Sequence, residues 1–181
     1  MRVISGKARG TILKAPEGMA TRPTADRVKE AMFSIIQFDL PGAKVLDLFG
    51  GSGQLGIEAL SRGASSCIFV DQRKAACDLI KENLNKTKMS NDGKVICSDY
   101  VAYLLNCTEK FNIILLDPPY AENFLENSLK MITEIDILQS GAIILTERPL
   151  GKELLCEFSG FSRSRDYKYG NTLLTIYRKE N

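Results

Sequence analysis

Four consecutive residues after an aliphatic run combine an acidic acceptor, two rigid prolines and an aromatic ring: Asp117, Pro118, Pro119 and Tyr120. Paired prolines fix the backbone and remove two N–H donors, so the loop presents hydrogen-bond acceptors. Such acceptors suit an exocyclic amine of a nucleic-acid base, because binding both N–H hydrogens aims the nitrogen lone pair at an electrophile. Tyr120 would stack on a flipped or unpaired base. We expect a catalytic loop here; a rigid turn before the next helix is the structural alternative.

A glycine-rich segment and three further acids form a candidate cofactor site. The glycines let the backbone approach a ligand closely, and the following helix start attracts a carboxylate. Asp71 offers two acceptors to a ribose diol, and Asp99 could accept from an adenine amino group. Each acid follows or ends a predicted strand, where Asp is also an ordinary helix cap. The predicted cofactor residues are Asp47, Phe49, Gly51, Gly53, Asp71, Asp99 and Tyr100.

The segment 51–56 also matches the dinucleotide pattern GxGxxG, with Asp71 twenty residues later, so the motif alone does not separate NAD from S-adenosylmethionine (SAM). Asp47, four positions before Gly51, would repel a pyrophosphate but suits an ammonium and a sulfonium. The sequence contains no histidine, the commonest acid–base group beside a hydride. These features favour SAM over NAD.

Composition is that of a globular protein of one domain, with 181 residues, 44% hydrophobic residues and a net charge of +2. Basic residues are concentrated at both ends, which fits a polyanionic partner, although charge runs are often only solvated surface. Five cysteines without a CxxC pair indicate reduced thiols in a cytoplasmic protein. The N-terminus and the short aliphatic runs predict neither secretion nor a membrane span.

The elements that must position these residues alternate between strand and helix. Strands are predicted over 44–49, 67–70, 94–97, 112–116 and 142–146, with helices over 54–62, 73–88, 101–107 and 124–135. This alternation predicts a Rossmann-like α/β fold, a mostly parallel sheet with helices on both faces and ligands at the carboxyl ends of the strands. Segments 161–169 and 172–177 predict an antiparallel hairpin at the C-terminal edge.

Residues 1–40 predict a small extension in front of the main domain, residues 41–181. It would contain a hairpin, formed by 2–5 and 10–14, and a helix capped by Thr24 that runs to about residue 36. The basic side chains of this extension are candidates for phosphate contacts in a lid above the active site. The predicted RNA-binding residues are Arg2, Lys7, Arg9, Arg22 and Arg27.

Together these motifs resemble the RsmD-type 16S rRNA (guanine-N2)-methyltransferases over essentially the full chain. The resemblance is carried by RVISG at 2–6, RPTADRVKEA at 22–31, LDLFGGSG at 46–53, DPPY at 117–120 and YGNT at 169–172. It implies a class I methyltransferase fold, with SAM as methyl donor, S-adenosylhomocysteine as product and no metal. It also implies a guanine of small-subunit rRNA as target, methylated on a partly assembled 30S subunit. We expect a monomer without membrane association.

Three alternatives remain open. A DNA adenine-N6 methyltransferase would use the same loop, although 181 residues leave little room for a domain that reads a duplex groove. A non-catalytic SAM-binding ribosome-assembly factor is possible because a fold does not fix a function, but the complete DPPY loop argues against it. A dehydrogenase is the third.

Overall fold

The computed structural model describes residues 1–16, 23–119, 123–151, 154, 157–158 and 161–179, with backbone only at 23–25 and 157–158. Helices alternate with the first five strands, as predicted. The helices are α1 (Pro23–Ile35), α2 (Gln54–Ser61), α3 (Lys74–Lys86), α4 (Tyr100–Leu105) and α5 (Phe124–Glu134). The strands are β1 (Lys44–Asp47), β2 (Ser66–Asp71), β3 (Gly93–Cys97), β4 (Phe111–Leu116), β5 (Leu138–Pro149), β6 (Glu157–Phe158), β7 (Phe161–Tyr169) and β8 (Thr172–Lys179).

All eight described strands form one sheet in the order β3-β2-β1-β4-β5-β8-β7-β6. The first five in this order pair in parallel, whereas β8, β7 and β6 pair antiparallel. This confirms the expected mostly parallel sheet with an antiparallel C-terminal hairpin. The strand order reverses between β1 and β4, which is where open α/β sheets bind ligands at the carboxyl ends of their strands.

The two faces of the sheet build two apolar layers because successive strand residues point to opposite sides. Side chains such as Val45, Ile113 and Leu145 pack with α1, α2 and α3 on one face. Their neighbours Leu46 and Ile114 pack with α4 and α5 on the other face. Central strands covered on both faces explain the continuous hydrophobic runs seen in the sequence.

The expected N-terminal hairpin is present but short: Arg2 and Ile12 form an antiparallel bridge, and the Val3 and Leu13 N–H groups donate across it to Thr11 and Met1 at 3.0 and 3.1 Å. Backbone donors that would extend a ladder bind the main domain instead. Ile4 and Ser5 donate to the carboxylate of buried Glu58 on α2, at 2.8 and 3.0 Å. Lys7 donates to the carbonyl oxygen of Ser61 at 2.8 Å. Residues 1–14 therefore form an arm bound to α2. The domain boundary near residue 40 stays a prediction.

Two further boundaries differ from the sequence expectation. Helix α1 begins at Pro23, one residue before the expected Thr24 cap, whose side chain lies outside the described part of the chain; Pro favours the first helical position because it needs no N–H partner there. Strand β5 extends well beyond 142–146 because its C-terminal half pairs with β8 up to Pro149. No helix in the described part of the chain is long and apolar enough to span a bilayer.

Candidate active site

Five acidic residues follow the strand order along the carboxyl edge of the sheet. Asp99 follows β3, Asp71 ends β2, Asp47 ends β1, Asp117 follows β4, and Glu147 lies near the end of β5. All five line one cavity of about 560 Å³. The parallel topology therefore brings together the four acids that the sequence singled out and adds a fifth.

The glycine loop between β1 and α2 forms one wall of this cavity. Gly51 and Gly53 have φ values of 57° and 78°, a left-handed backbone that other residues rarely adopt. Gly53 is the N-cap of α2, and the Gly51 N–H donates to Oδ2 of Asp71 at 2.9 Å. The loop is thus held against the end of β2, with the positive end of the α2 dipole at the cavity.

Asp47 supports the start of α2 as well as lining the cavity. It is almost fully buried, and its Oδ2 accepts the Gly56 N–H at 3.0 Å. Its Oδ1 has no hydrogen-bond partner among the described residues. Burial raises the pKa of Asp47 to about 7, opposed by the Gly56 hydrogen bond and assisted by the charge of Asp71. A buried acceptor with an unused oxygen favours a positive charge close by.

Asp71 holds two backbone donors through its carboxylate. Besides Gly51, it accepts the Arg73 N–H at 2.9 Å and pairs with the Arg73 guanidinium at 3.3 Å. Arg73 is largely exposed and lines the same cavity. Asp71 is therefore fixed at the cavity edge, where an ionised carboxylate can still accept bonds from vicinal hydroxyls.

Asp99 and an aromatic cluster close the β3 side of the cavity. Oδ1 of Asp99 accepts from the Val101 and Ala102 N–H groups, so the residue caps α4; its contact with an adenine stays a prediction. The rings of Phe49 and Tyr100 lie 5.3 Å apart, and Phe124 packs on Tyr100 at 5.9 Å. These three rings give the cavity an apolar wall suited to a heterocycle.

The catalytic-loop residues Asp117, Pro118 and Pro119 line the cavity at the end of β4, whereas Tyr120 lies outside the described residues. Asp117 is partly exposed and Pro118 is buried. Desolvation raises the pKa of Asp117 to about 8, with smaller contributions from the negative charges of Glu147 and Asp47. Three neighbouring acids of this kind favour a cationic ligand or a ligand rich in N–H donors.

The arm and α1 supply the remaining wall. Met1, Lys29 and Met32 line the cavity, and the Met1 sulfur accepts from the Ser52 hydroxyl at 3.0 Å. Lys29 is buried, donates to the Arg2 carbonyl oxygen at 2.6 Å and lies 3.8 Å from Glu58. Burial lowers the pKa of Lys29, while the charge of Glu58 opposes this.

The predicted RNA-binding residues fall into two groups. Arg2 pairs with Asp26 at 3.5 Å and Lys7 pairs with Asp92 at 2.7 Å, so both cations already have acidic partners. Arg9 and Arg27 are exposed. Arg22 lies outside the described residues. Arg9 and Arg27 are therefore the better candidates for phosphate contacts.

Sequence reasoning missed several cavity residues, namely Glu147, Lys29, Arg73 and Phe124. Glu147 could have been found, because it directly follows the predicted strand 142–146, as the other acids follow theirs. Lys29 carried no such signal, since only the packing of α1 on the main domain places it beside the cavity. The residues that the structure describes contain no cluster of potential metal ligands.

Comparisons with known proteins agree with this architecture. The family model described as "Conserved hypothetical protein 95" matches residues 1–178. The Bacillus subtilis protein named "Putative rRNA methyltransferase YlbH" is 41% identical over 99% of both chains. The Escherichia coli "Ribosomal RNA small subunit methyltransferase D" is 31% identical over 99% of this chain and 90% of its own.

Among solved structures, "Putative methyltransferase yhhF from Escherichia coli" superposes with a TM-score of 0.89 at 28% identity, covering 100% of this chain and 98% of the other. Both the sheet order and this likeness identify a class I methyltransferase fold. The chain belongs to the RsmD family of methyltransferases, as its motifs had indicated.

Proposed function

We propose that this protein transfers a methyl group from SAM to the exocyclic N2 amine of a guanine in small-subunit (16S) rRNA. One observation carries the proposal. The turn formed by Asp117, Pro118 and Pro119, here called the acceptor turn, lines the same cavity as the glycine loop and Asp71. A ligand held by the glycine loop and a base held by the turn would therefore meet inside one enclosure. This proximity is what transfer between two bound molecules requires.

The cavity residues fit SAM. The glycine loop and the α2 N-terminus suit the carboxylate of the methionine moiety, and Asp71 suits the ribose hydroxyls. Phe49 and Tyr100 offer a ring surface for adenine. The unpartnered Oδ1 of Asp47 and the raised pKa of its carboxyl indicate a site lacking a positive charge. When bound, SAM supplies that charge and an electrophilic methyl carbon.

The acceptor turn orients the target amine. The Asp117 carboxylate and the Pro118 carbonyl would accept the two N–H hydrogens, and the prolines keep this pair rigid. Asp117 is the stronger acceptor when it is ionised, and a neighbouring cation favours the ionised form because opposite charge lowers the pKa of a carboxyl. Tyr120 is proposed to stack on the base. After transfer, the amine proton leaves to water, so no second titrating group is required.

The proposal of an rRNA substrate rests on relatives that carry rRNA methyltransferase names, among them the Bacillus subtilis and Escherichia coli proteins. Exposed Arg9 and Arg27 would contact phosphates on the side of the cavity that the arm forms. We further propose that a monomer acts in the cytoplasm on a partly assembled 30S subunit.

Transfer of labelled methyl from SAM to free rRNA, to assembled small subunits and to DNA, followed by nucleoside analysis, tests the proposal. N2-methylguanine in rRNA is the expected product. N6-methyladenine in DNA would contradict the substrate, and no transfer to any nucleic acid would favour the assembly-factor alternative.

The role of Asp117 is tested by Asp117→Ala, with the exposed α3 variant Asp78→Ala as control. Asp117→Ala should abolish transfer while SAM still binds, because the glycine loop and Asp71 are intact. The control should behave as wild type. Retained transfer in Asp117→Ala would remove the residue from the mechanism.

A further inference from the structure

Glu147 lines the cavity beside Asp117. The register pairs Leu116 of β4 with Thr146 of β5, so Asp117 and Glu147 are the next residues on neighbouring parallel strands. Both line the cavity, and the charge of Glu147 raises the pKa of Asp117. Two carboxyl groups thus lie side by side at one end of the row of five acids along the carboxyl edge of the sheet, here called the rim.

The other acids of the rim lie on the opposite side of Asp117. Asp47 and Asp71 end β1 and β2, Asp99 follows β3, and the glycine loop follows β1. In the proposed function these strands hold the cofactor. Glu147 is therefore the acid best placed to meet the base presented to Asp117, because β5 lies on the far side of β4 from β1.

The Watson–Crick edges of the two purines differ in a way that a second carboxylate can read. Guanine presents three N–H hydrogens on this edge, two on N2 and one on N1. Adenine presents two on N6, but its N1 is an acceptor. An ionised carboxylate only accepts, and it offers two oxygens with several lone pairs, so other contacts of Glu147 leave room for one more N–H.

We infer that Glu147 selects guanine over adenine by accepting the N1–H of the base whose amine is held by Asp117 and Pro118. This inference rests on the proposed function. With guanine, donors face both carboxylates and stabilise their ionised forms. With adenine, N1 would face Glu147 acceptor to acceptor in a desolvated site, and sites built to bind one N–H reject analogues that lack it.

The variant Glu147→Gln tests this inference, since it keeps the side-chain size but adds an amide donor that can bind adenine N1. Its rate of N2-methylguanine formation on small subunits should fall roughly 10- to 150-fold, the range for losing a hydrogen bond to a charged acceptor. The ratio of N6-methyladenine to N2-methylguanine should rise. SAM affinity and thermal midpoint should stay near wild type, and the exposed Glu134→Gln should change nothing.

The outcomes separate the two proposals. Wild-type protein that forms no N2-methylguanine overturns the proposed function itself. Wild-type protein that forms it, with Glu147→Gln equally fast and equally selective, overturns only the role of Glu147. If Glu147→Gln does not fold or loses SAM binding, Glu147→Asp serves instead. Because it keeps an acceptor-only carboxylate, it should lose rate but keep the wild-type product ratio, and adenine methylation by it would overturn the inference.

Discussion

Replacing Glu58 by Gln should strongly destabilise the protein. Glu58 is fully buried on α2 and accepts from Ile4 and Ser5 N–H at 2.8 and 3.0 Å. It also accepts from Arg62 Nε at 2.8 Å and lies 3.8 Å from the buried Lys29 ammonium. The amide would turn a donor toward these donors and leave Lys29 without its compensating charge. Removing one partner of a buried ion pair lowers the free energy of unfolding by about 3–5 kcal/mol.

For a chain of this length, that loss lowers Tm by roughly 6–20 °C. Denaturant unfolding followed by circular dichroism should show a lower midpoint with an unchanged slope, the sign of altered stability rather than an altered unfolded state. Glu82→Gln is the matched control, because Glu82 forms an exposed pair with Lys14, and such pairs contribute at most about 1 kcal/mol.

A double variant isolates the effect of the unpaired Lys29 charge. Adding Lys29→Met to Glu58→Gln removes the uncompensated charge, so the double variant should recover part of the stability lost by Glu58→Gln alone. A loss of less than about 1 kcal/mol in Glu58→Gln, as expected for the control, would show that the network does not anchor the arm.

Three further predictions follow from the site. The free energy of unfolding of wild type should fall as pH rises from about 4 to about 8, because folded Asp117, with its pKa raised to about 8, keeps a proton that the unfolded chain releases. The free energy of unfolding of Asp117→Asn should therefore exceed that of wild type by roughly 1–3 kcal/mol between pH 5 and 8, since partial exposure limits the effect. If the free energy of unfolding changed with pH at the same slope in both proteins, this prediction would be contradicted. The kcat/KM of wild type should rise with pH through the same group, since the ionised carboxylate is the stronger N–H acceptor, and a flat profile, or a bell shape needing a second group, would exclude Asp117 as sole acceptor. Arg9→Ala should weaken rRNA binding and reduce the salt dependence of log Kd by about one contact, whereas Lys7→Ala, whose ammonium pairs with Asp92, should change it less.

Local sequence was sufficient for the order of elements and the chemistry of the rim. Alternating apolar runs and helical stretches predicted the five parallel strands, because strands covered on both faces must be continuously hydrophobic. The turn at Gly170 similarly predicted the β7–β8 hairpin with nearly its observed bounds. The acidic residues at or after the predicted strands also predicted a row of carboxylates at one edge of the sheet, because the carboxyl ends of parallel strands share one edge.

Contacts between segments far apart in the chain could not be predicted from local sequence. The arm pairs with itself as expected, but only briefly, and further donors of the arm bind Glu58 and Ser61, a choice set by how α2 packs. Packing likewise buries Lys29, leaves Asp47 with an unused oxygen and brings Glu147 beside Asp117. The residue types were legible in the sequence, but their protonation depends on desolvation and on neighbours that only the folded chain supplies.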